Sequence, residues 1–551
     1  MAKELALVLS NKVNISDQYT QVVELCGNQA QQYEYSADPG SFDNVMQFNN
    51  IVPVGSMGSS LLSKKMAIRY QVEITITDAH NPFQAGDLSH TFPADTYYNS
   101  ISQDYGDASQ GVNSGLRAFP LQSICENISL AINNNQVSWQ ARDTLSGLQR
   151  MIDKKLLMSR STTCPCRPDD QFQNFPDFAA VYDQPLNINA KSHLGYTRNS
   201  ISATSYSKAA GVATYTFDIT EPLLIPGINT LYDNEQMLAN VNNLSLILNY
   251  SKLQTDFVSA GAVWAGGDQL GYNDTMAIAI KNPFLVLEYQ VVDPNLVSIP
   301  PSVVYPYEAL YYTPKTVNQV VNLQTVQNIT VQSDTVRFSS LPKRILVWTR
   351  KLISARTSID ADACLTLQPQ KGCFQASLGA RSGLLAQCSR DELWSLSAAA
   401  GSNQTRDSFC SGAGSFLVID PITAFGVNAE GGELLPGENG SLNFYVQAQY
   451  TTTNAQASLQ GVAANSELGT GVNFEMVILA LYEGQMIATP ASYMYNTGVL
   501  SPAEVSQLVK AGSAVSKEAI KKEINGAGLY TDKGVLHKAA KKKMGGVISM
   551  S

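Results

Sequence analysis

The chain has 551 residues, 44 % of them hydrophobic, which excludes a disordered polymer and leaves room for two to four domains. Charged residues make up only 15 %, against roughly 25 % in an average soluble domain, and the formal net charge is −9. Eight scattered Cys, no apolar run of 18 residues and no signal-peptide pattern in MAKELALVLSNKV argue against disulfide scaffolds and helical membrane proteins, so a cytosolic chain is expected.

Residues 1–40 read as an arm that ends in the polar QAQQYEYSADPGS. Strand signals open at 44–53 and strengthen at 65–77 (KMAIRYQVEITIT), where β-branched and aromatic residues alternate with polar ones. Residues 78–116, rich in Gly, Ser, Asp and Tyr, are too long for an ordinary connection and read as a surface insertion. Two short strands flank an Asn-rich turn within 123–140. A helix is predicted over 142–158, with Leu145, Leu148, Ile152 and Leu156 on one face. Further strands are predicted at 214–225, 241–250 and 283–292. The proline-rich passage 293–314 reads as stiff extended chain, with the boundary between halves near 299–306.

The second half opens with strands in 316–331 and a strong one at 343–351 (KRILVWTRK). Residues 352–412 read as a second long insertion containing one clear helix. Ser389-Arg390-Asp391-Glu392 forms a capping box for it, Leu393, Trp394 and Leu396 follow, and Gly401 is the stop. Strands are then predicted at 415–419, 441–450 and 473–482. The tail begins with another capping box, Ser501-Pro502-Ala503-Glu504, and becomes Gly- and Lys-rich beyond Asn525. From Lys510 onward there are nine Lys against three acids, +6, which leaves −15 on the rest. Such a tail is expected to meet an anionic partner through Lys517, Lys521, Lys522, Lys538, Lys541, Lys542 and Lys543.

The two halves read alike. TYTFDITEPLLI, VNNLSLILNY and PFLVLEYQVV in the first correspond to SFLVI, SLNFYVQAQY and NFEMVILALY in the second, each series preceded by one helix. Catalytic signatures are missing where they can be tested. The four His (80, 90, 193, 537) lack metal-ligand spacing, Cys164-Pro165-Cys166 is one residue too tight for a zinc knuckle, and there is no phosphate loop or nucleophile elbow. Asp218 and Glu221, beside Pro222, could form a glycosidase pair but read more simply as turn-capping carboxylates. No enzyme activity, cofactor or metal is expected. Asn, Gln, Ser and Thr supply the polarity, and such groups are cheaper to bury between copies of a chain than charges are.

The segments TEPLLIP before NVNNLSLILNY, LPKRILVWTRK, and SFLVIDP before NFYVQAQYTTT resemble the double jelly-roll (hexon-like) major capsid proteins of DNA viruses, among them those of virophages and polinton-like viruses. The resemblance spans about residues 40–490. It implies an all-β fold of two tandem eight-stranded antiparallel jelly rolls with long insertions and a short helical C-terminal tail. The division would be an arm (1–40), a first roll (41–298), a second roll (299–495) and a basic tail (496–551). It also implies a homotrimeric, pseudo-hexagonal capsomer in an icosahedral virion capsid, made in the host cytoplasm and assembled there or in the nucleus. Its partners would be neighbouring capsomers, penton or minor capsid proteins, and packaged DNA or an internal membrane met by the tail. The rival readings are a carbohydrate-active β-sandwich enzyme or adhesin, and a differently folded coat protein of an RNA virus.

Overall fold

The computed structural model describes residues 31–40, 42–53, 60–77, 114–133, 135–153, 157, 163–166, 204–209, 212–226, 228, 237–251, 258–260, 275–291, 302–317, 327–352, 365–411, 414–427, 440–451 and 473–497. The first half contains β1 (Gln31–Ser36), β2 (Val45–Ile51), β3 (Ser60–Leu62), β4 (Ala67–Thr77), β5 (Ser114–Leu116), β6 (Cys125–Ile132), β7 (Asn135–Trp139), β8 (Ser205–Ala209), β9 (Val212–Pro222), β10 (Leu244–Tyr250), β11 (Val258–Ala260) and β12 (Thr275–Val291). Helix α1 (Pro120–Ile124) precedes β6, and α2 (Ala141–Gln149) follows β7. The second half contains β13 (Val303–Thr316), β14 (Asn328–Gln332), β15 (Val336–Phe338), β16 (Arg344–Lys351), β17 (Thr366–Leu367), β18 (Phe374–Leu378), β19 (Arg381–Leu384), β20 (Leu417–Ile419), β21 (Leu442–Thr451), β22 (Phe474–Ala488) and β23 (Tyr493–Thr497). Its helices are α3 (Arg390–Ala399), α4 (Arg406–Ser411) and α5 (Pro421–Phe425).

Among the described residues each half has two large antiparallel sheets, with a separate β5-β11 pair in the first half, and the orders of the large sheets repeat. The path β1-β12-β4-β9 of the first half matches β13-β22-β16-β20 of the second, and β2-β10-β6-β7 matches β14-β21-β18-β19. That is eight equivalent strands per half in two sheets, the double jelly roll. Each pair of segments that reads alike in sequence sits at equivalent places, namely β9 and β20, β10 and β21, β12 and β22. The two predicted helices also correspond, since α2 follows β7 and α3 follows β19.

Period-two patterning builds the cores. In β10 (LSLILNY) the residues Leu244, Leu246, Leu248 and Tyr250 are buried and their neighbours half-exposed. They join Phe48, Ile68, Ile128 and Phe217 in the first core. β21 alternates likewise, and Phe444 and Val446 meet Phe338, Ile345, Phe374 and Met476 in the second. β16 and most of β22 break this rule, because both of their faces are buried.

Several expectations need correction. The polar end of the presumed arm is a strand: β1 pairs with β12 from Gln31↔Tyr289 to Ser36↔Phe284, and Tyr33 and Tyr35 pack on the first core. Its polarity reflects an edge strand with one wet face. Much of the proline-rich passage is likewise a strand, since β13 pairs with β22 over its whole length, and Pro306 and Pro314 are tolerated because β13 lies at a sheet edge. The supposed insertion 352–412 is mostly part of the second roll. Within it β18 pairs with both β21 and β19, and two helices complete the segment. Helix α2 stops at Gln149 rather than Met158, and Leu156 lies outside the described residues, as do 78–113.

Candidate functional site at the seam between the halves

The doubly buried strands of the second roll point to the part of the molecule that carries its architecture. On the outer face of the β13-β22-β16-β20 sheet, Leu346, Trp348, Val418, Val477, Leu479 and Leu481 form an apolar strip, and Leu148 and Met151, at and just beyond the end of α2, close over it. A Cβ on Gly147 would lie 3.0 Å from Cη2 of Trp348 and 3.4 Å from Cδ2 of Leu346, so glycine sets how closely the helix approaches. Trp348 is held from the other side by Phe416, with ring centroids 5.3 Å apart and planes at 27°. The Arg150 guanidinium lies 4.8 Å from the Phe416 ring.

Polar groups fix the helix at both ends. Arg350 of β16, 1 % exposed, donates from Nη2 to Asp143 Oδ1 at 2.7 Å and from Nη1 to the Asp143 carbonyl at 3.1 Å. It also donates from Nε to Glu475 Oε1 at 2.6 Å and from Nη2 to the Tyr312 hydroxyl at 2.5 Å. This positive charge sits beside the first turn of α2, where the helix dipole favours the anion that Asp143 supplies. At the other end, Asn403 Nδ2 donates to the carbonyls of Gln149 (2.7 Å) and Ile152 (2.6 Å), and its N–H donates to the Arg150 carbonyl (2.7 Å). A residue of the second half thus caps a helix of the first.

The exchange is reciprocal. Tyr305 and Tyr307 of β13, Met486 and Ala488 of β22, and Tyr493 of β23 are buried in the first core. Asn133, in the turn between β6 and β7 with φ 48°, donates from Nδ2 to the carbonyls of Asn240 (2.5 Å) and Thr489 (3.0 Å), and its Oδ1 accepts from the N–H groups of Asn242 (2.7 Å) and Asn243 (3.2 Å). Asn242 Nδ2 donates to the Pro490 carbonyl at 2.6 Å, Asn135 Nδ2 to the Tyr493 carbonyl, and the Tyr493 hydroxyl to the Ala239 carbonyl. The Tyr305 hydroxyl accepts from the Ala239 N–H at 2.8 Å and donates to the Met237 carbonyl at 2.9 Å. Lys64, 4 % exposed, has its Nζ 5.2 Å from the Tyr305 ring, and burial lowers its pKa to about 8.

The candidate glycosidase carboxylates do not form a pair. Phe217, Ile219 and Glu221 are buried on one face of β9, while Asp218 faces the other way and bonds to Gln71. Glu221 caps α1: its oxygens accept from the N–H groups of Leu121 and Gln122, from Gln122 Nε2 and from the Tyr70 hydroxyl, all within 2.7–2.9 Å. Burial pushes its pKa up, and these four donors only partly offset that. Cys164 and Cys166 are fully buried, and burial raises the Cys164 thiol. The tail lysines Lys517, Lys521, Lys522, Lys538, Lys541, Lys542 and Lys543 and all four histidines lie outside the described residues.

Reading the sequence for chemistry passed over the seam, because nothing in it is reactive. Its signal was the continuous apolar runs ILVW in β16 and MVILALY in β22, which a half-exposed strand would interrupt with polar residues.

The two halves are repeated jelly rolls joined by reciprocal packing. A family model described as the Sputnik virophage major capsid protein 1st domain matches residues 3–193, and one described as the major capsid protein V20 C-terminal domain matches 312–484. A capsid protein, V20, of Sputnik virophage is 23 % identical over 532 residues, 90 % of this chain and 80 % of that protein. The cryo-EM structure of Sputnik virophage aligns with TM-score 0.67 at 19 % identity, covering 91 % of this chain and 95 % of that one. The crystal structure of the mavirus major capsid protein aligns with TM-score 0.61 at 13 % identity, covering 92 % and 98 %. The chain carries both family-model domains of the virophage-type major capsid protein, and with its double jelly-roll fold it is a viral major capsid protein similar to those of virophages. Its role is structural and its place is the virion capsid.

Proposed function

We propose that three copies of this chain form a pseudo-hexagonal capsomer that tiles an icosahedral shell. The observation that carries this reading is the seam, which fixes two like rolls to one another. Three such pairs supply six similar units, and a near-sixfold tile needs its two units held rigidly within each copy. Copies associate through neighbouring edges, penton and minor capsid proteins fill the remaining positions, and no step requires catalysis or a cofactor. Synthesis takes place in the host cytoplasm, with assembly there or in the nucleus. The tail faces inward and meets packaged DNA or an internal membrane. Light scattering coupled to size exclusion tests the stoichiometry. The expected mass is three times the 59.6 kDa of one chain; a stable monomer at micromolar concentration and physiological salt would overturn the trimer.

A further inference from the structure

Each roll is incomplete without a piece of the other. The second roll leaves an apolar strip containing Trp348, Leu479 and Leu481 on the outside of a sheet, and Leu148 and Met151 of the first half cover it. The first roll leaves space in its core that Tyr305, Tyr307, Met486, Ala488 and Tyr493 of the second half fill. The family models divide the chain elsewhere. The one for the C-terminal domain spans 312–484, so all five of these core-filling residues fall outside it.

We infer that the two jelly rolls are a single cooperative folding unit, each half being the obligate partner surface of the other, and that the division into two domains is topological and not thermodynamic. Three physical features support this. Exposing the strip would place several large apolar side chains in water at once, each at about 1.5–3 kcal/mol. Separation would also strand buried polar groups, since Arg350 would lose Asp143, and the Asn133 amide would lose the Thr489 carbonyl. Finally, the halves are joined by an apolar strip and by separate sets of polar contacts at Asn133, Arg350 and Asn403, so opening the seam must break all of them. A tile without an internal hinge cannot bend, and the curvature of a shell must then be set at contacts between copies.

Native-state hydrogen exchange on the full-length chain tests the inference. Amides of β10, central in the first roll, and of β21, central in the second, should report opening constants that agree within about threefold and rise together with urea. The Asn133→Ala variant, altered only in the first half, should raise both constants by the same factor, about tenfold. Opening constants that differ by more than tenfold, or a variant that moves β10 alone, would overturn the single unit. As an independent measurement, a protease site placed within 293–300 of the full chain allows the connection to be cut after folding. The cut halves should co-elute and unfold in one urea transition; halves that separate, or two resolved transitions, would equally overturn it.

Discussion

Arg350 is the residue on which the seam's electrostatics depend. Its guanidinium is almost fully buried and is satisfied by two carboxylates, a backbone carbonyl and a tyrosine hydroxyl. Truncation would leave Glu475 as a buried charge without its cation and would take from the half-buried Asp143 the nearer of its two guanidinium partners, and breaking a buried pair costs about 3–5 kcal/mol where it has been measured in other proteins. Arg350→Ala is therefore expected to lower the stability from urea unfolding by that amount, and a loss below about 1 kcal/mol would show that water reaches the cluster. Lys64 makes the opposite prediction. Its folded pKa of about 8 lies below its ordinary 10.5, so the unfolded chain binds more protons in that interval and stability from this group rises as pH goes from 8 to 10.5. Below pH 8 the whole penalty is present, about 3 kcal/mol. Lys64→Met should be more stable than the parent at pH 7, by less than that penalty because the contacts of the ammonium, among them the one with the Tyr305 ring, are lost with it. The advantage should fade by pH 10. Buried thiols such as Cys125 titrate in the unfolded chain over the same range and pull the other way, so the difference between the two proteins is the quantity to follow.

At the scale of elements, α2 shows how packing overrides propensity. Gly→Ala inside a solvated helix stabilises by about 1 kcal/mol. At Gly147 the added Cβ would press on the edge of a Trp348 ring that Phe416 holds in place, so Gly147→Ala is expected to destabilise by about 1 kcal/mol. An increase in the thermal midpoint would mean that the helix can lift off the sheet. A second element-scale prediction concerns α5, whose N-cap Asp420 accepts from the N–H groups of Ile422 (3.0 Å) and Thr423 (3.4 Å). Asp420→Ala should cost about 1 kcal/mol in urea unfolding. Elements like this were legible in the sequence because their signals are local. The capping box at Ser389–Glu392 forms as read, with the Ser389 N–H donating to Glu392 Oε2 at 2.6 Å, and α3 gives way at Gly401 with φ 101°. Strands with one wet face, β4, β10 and β21, were legible for the same reason. What escaped the reading is non-local. QQYEYS becomes a strand only because β12 offers an edge, and β13 keeps two prolines only because its far edge needs no N–H. That α2 belongs to the wall of the other roll was written only in the doubled apolar faces of β16 and β22, which cannot say what covers them.

At the scale of the whole molecule, the clasp around Tyr493 ties β23, which pairs with β22, to the first half. β23 closes on Thr497, and the asparagines that hold the turn before it belong to the first roll, so everything from residue 498 onward departs from a point secured to both halves. A chain ending at Thr497 retains the residues of β23 and the seam and lacks the basic segment that starts at Lys510, which makes it the comparison for the role proposed for the tail. From Lys510 on that segment carries nine Lys against three acids. Lysine presents a hydrated point charge, which suits contact with phosphates without reading bases. If the tail neutralises DNA phosphates, the affinity of the full chain for duplex DNA should fall steeply with salt, with a log–log slope near −0.9 for each phosphate neutralised. The nine lysines set a slope of roughly −8 as the ceiling. The truncated chain, whose remaining charge is negative, should bind weakly at all salt concentrations while keeping the oligomeric mass and the unfolding midpoint of the parent. Equal binding by both chains would remove DNA as the tail's partner. Binding by the full chain to anionic vesicles but not to DNA would assign the tail to a membrane surface.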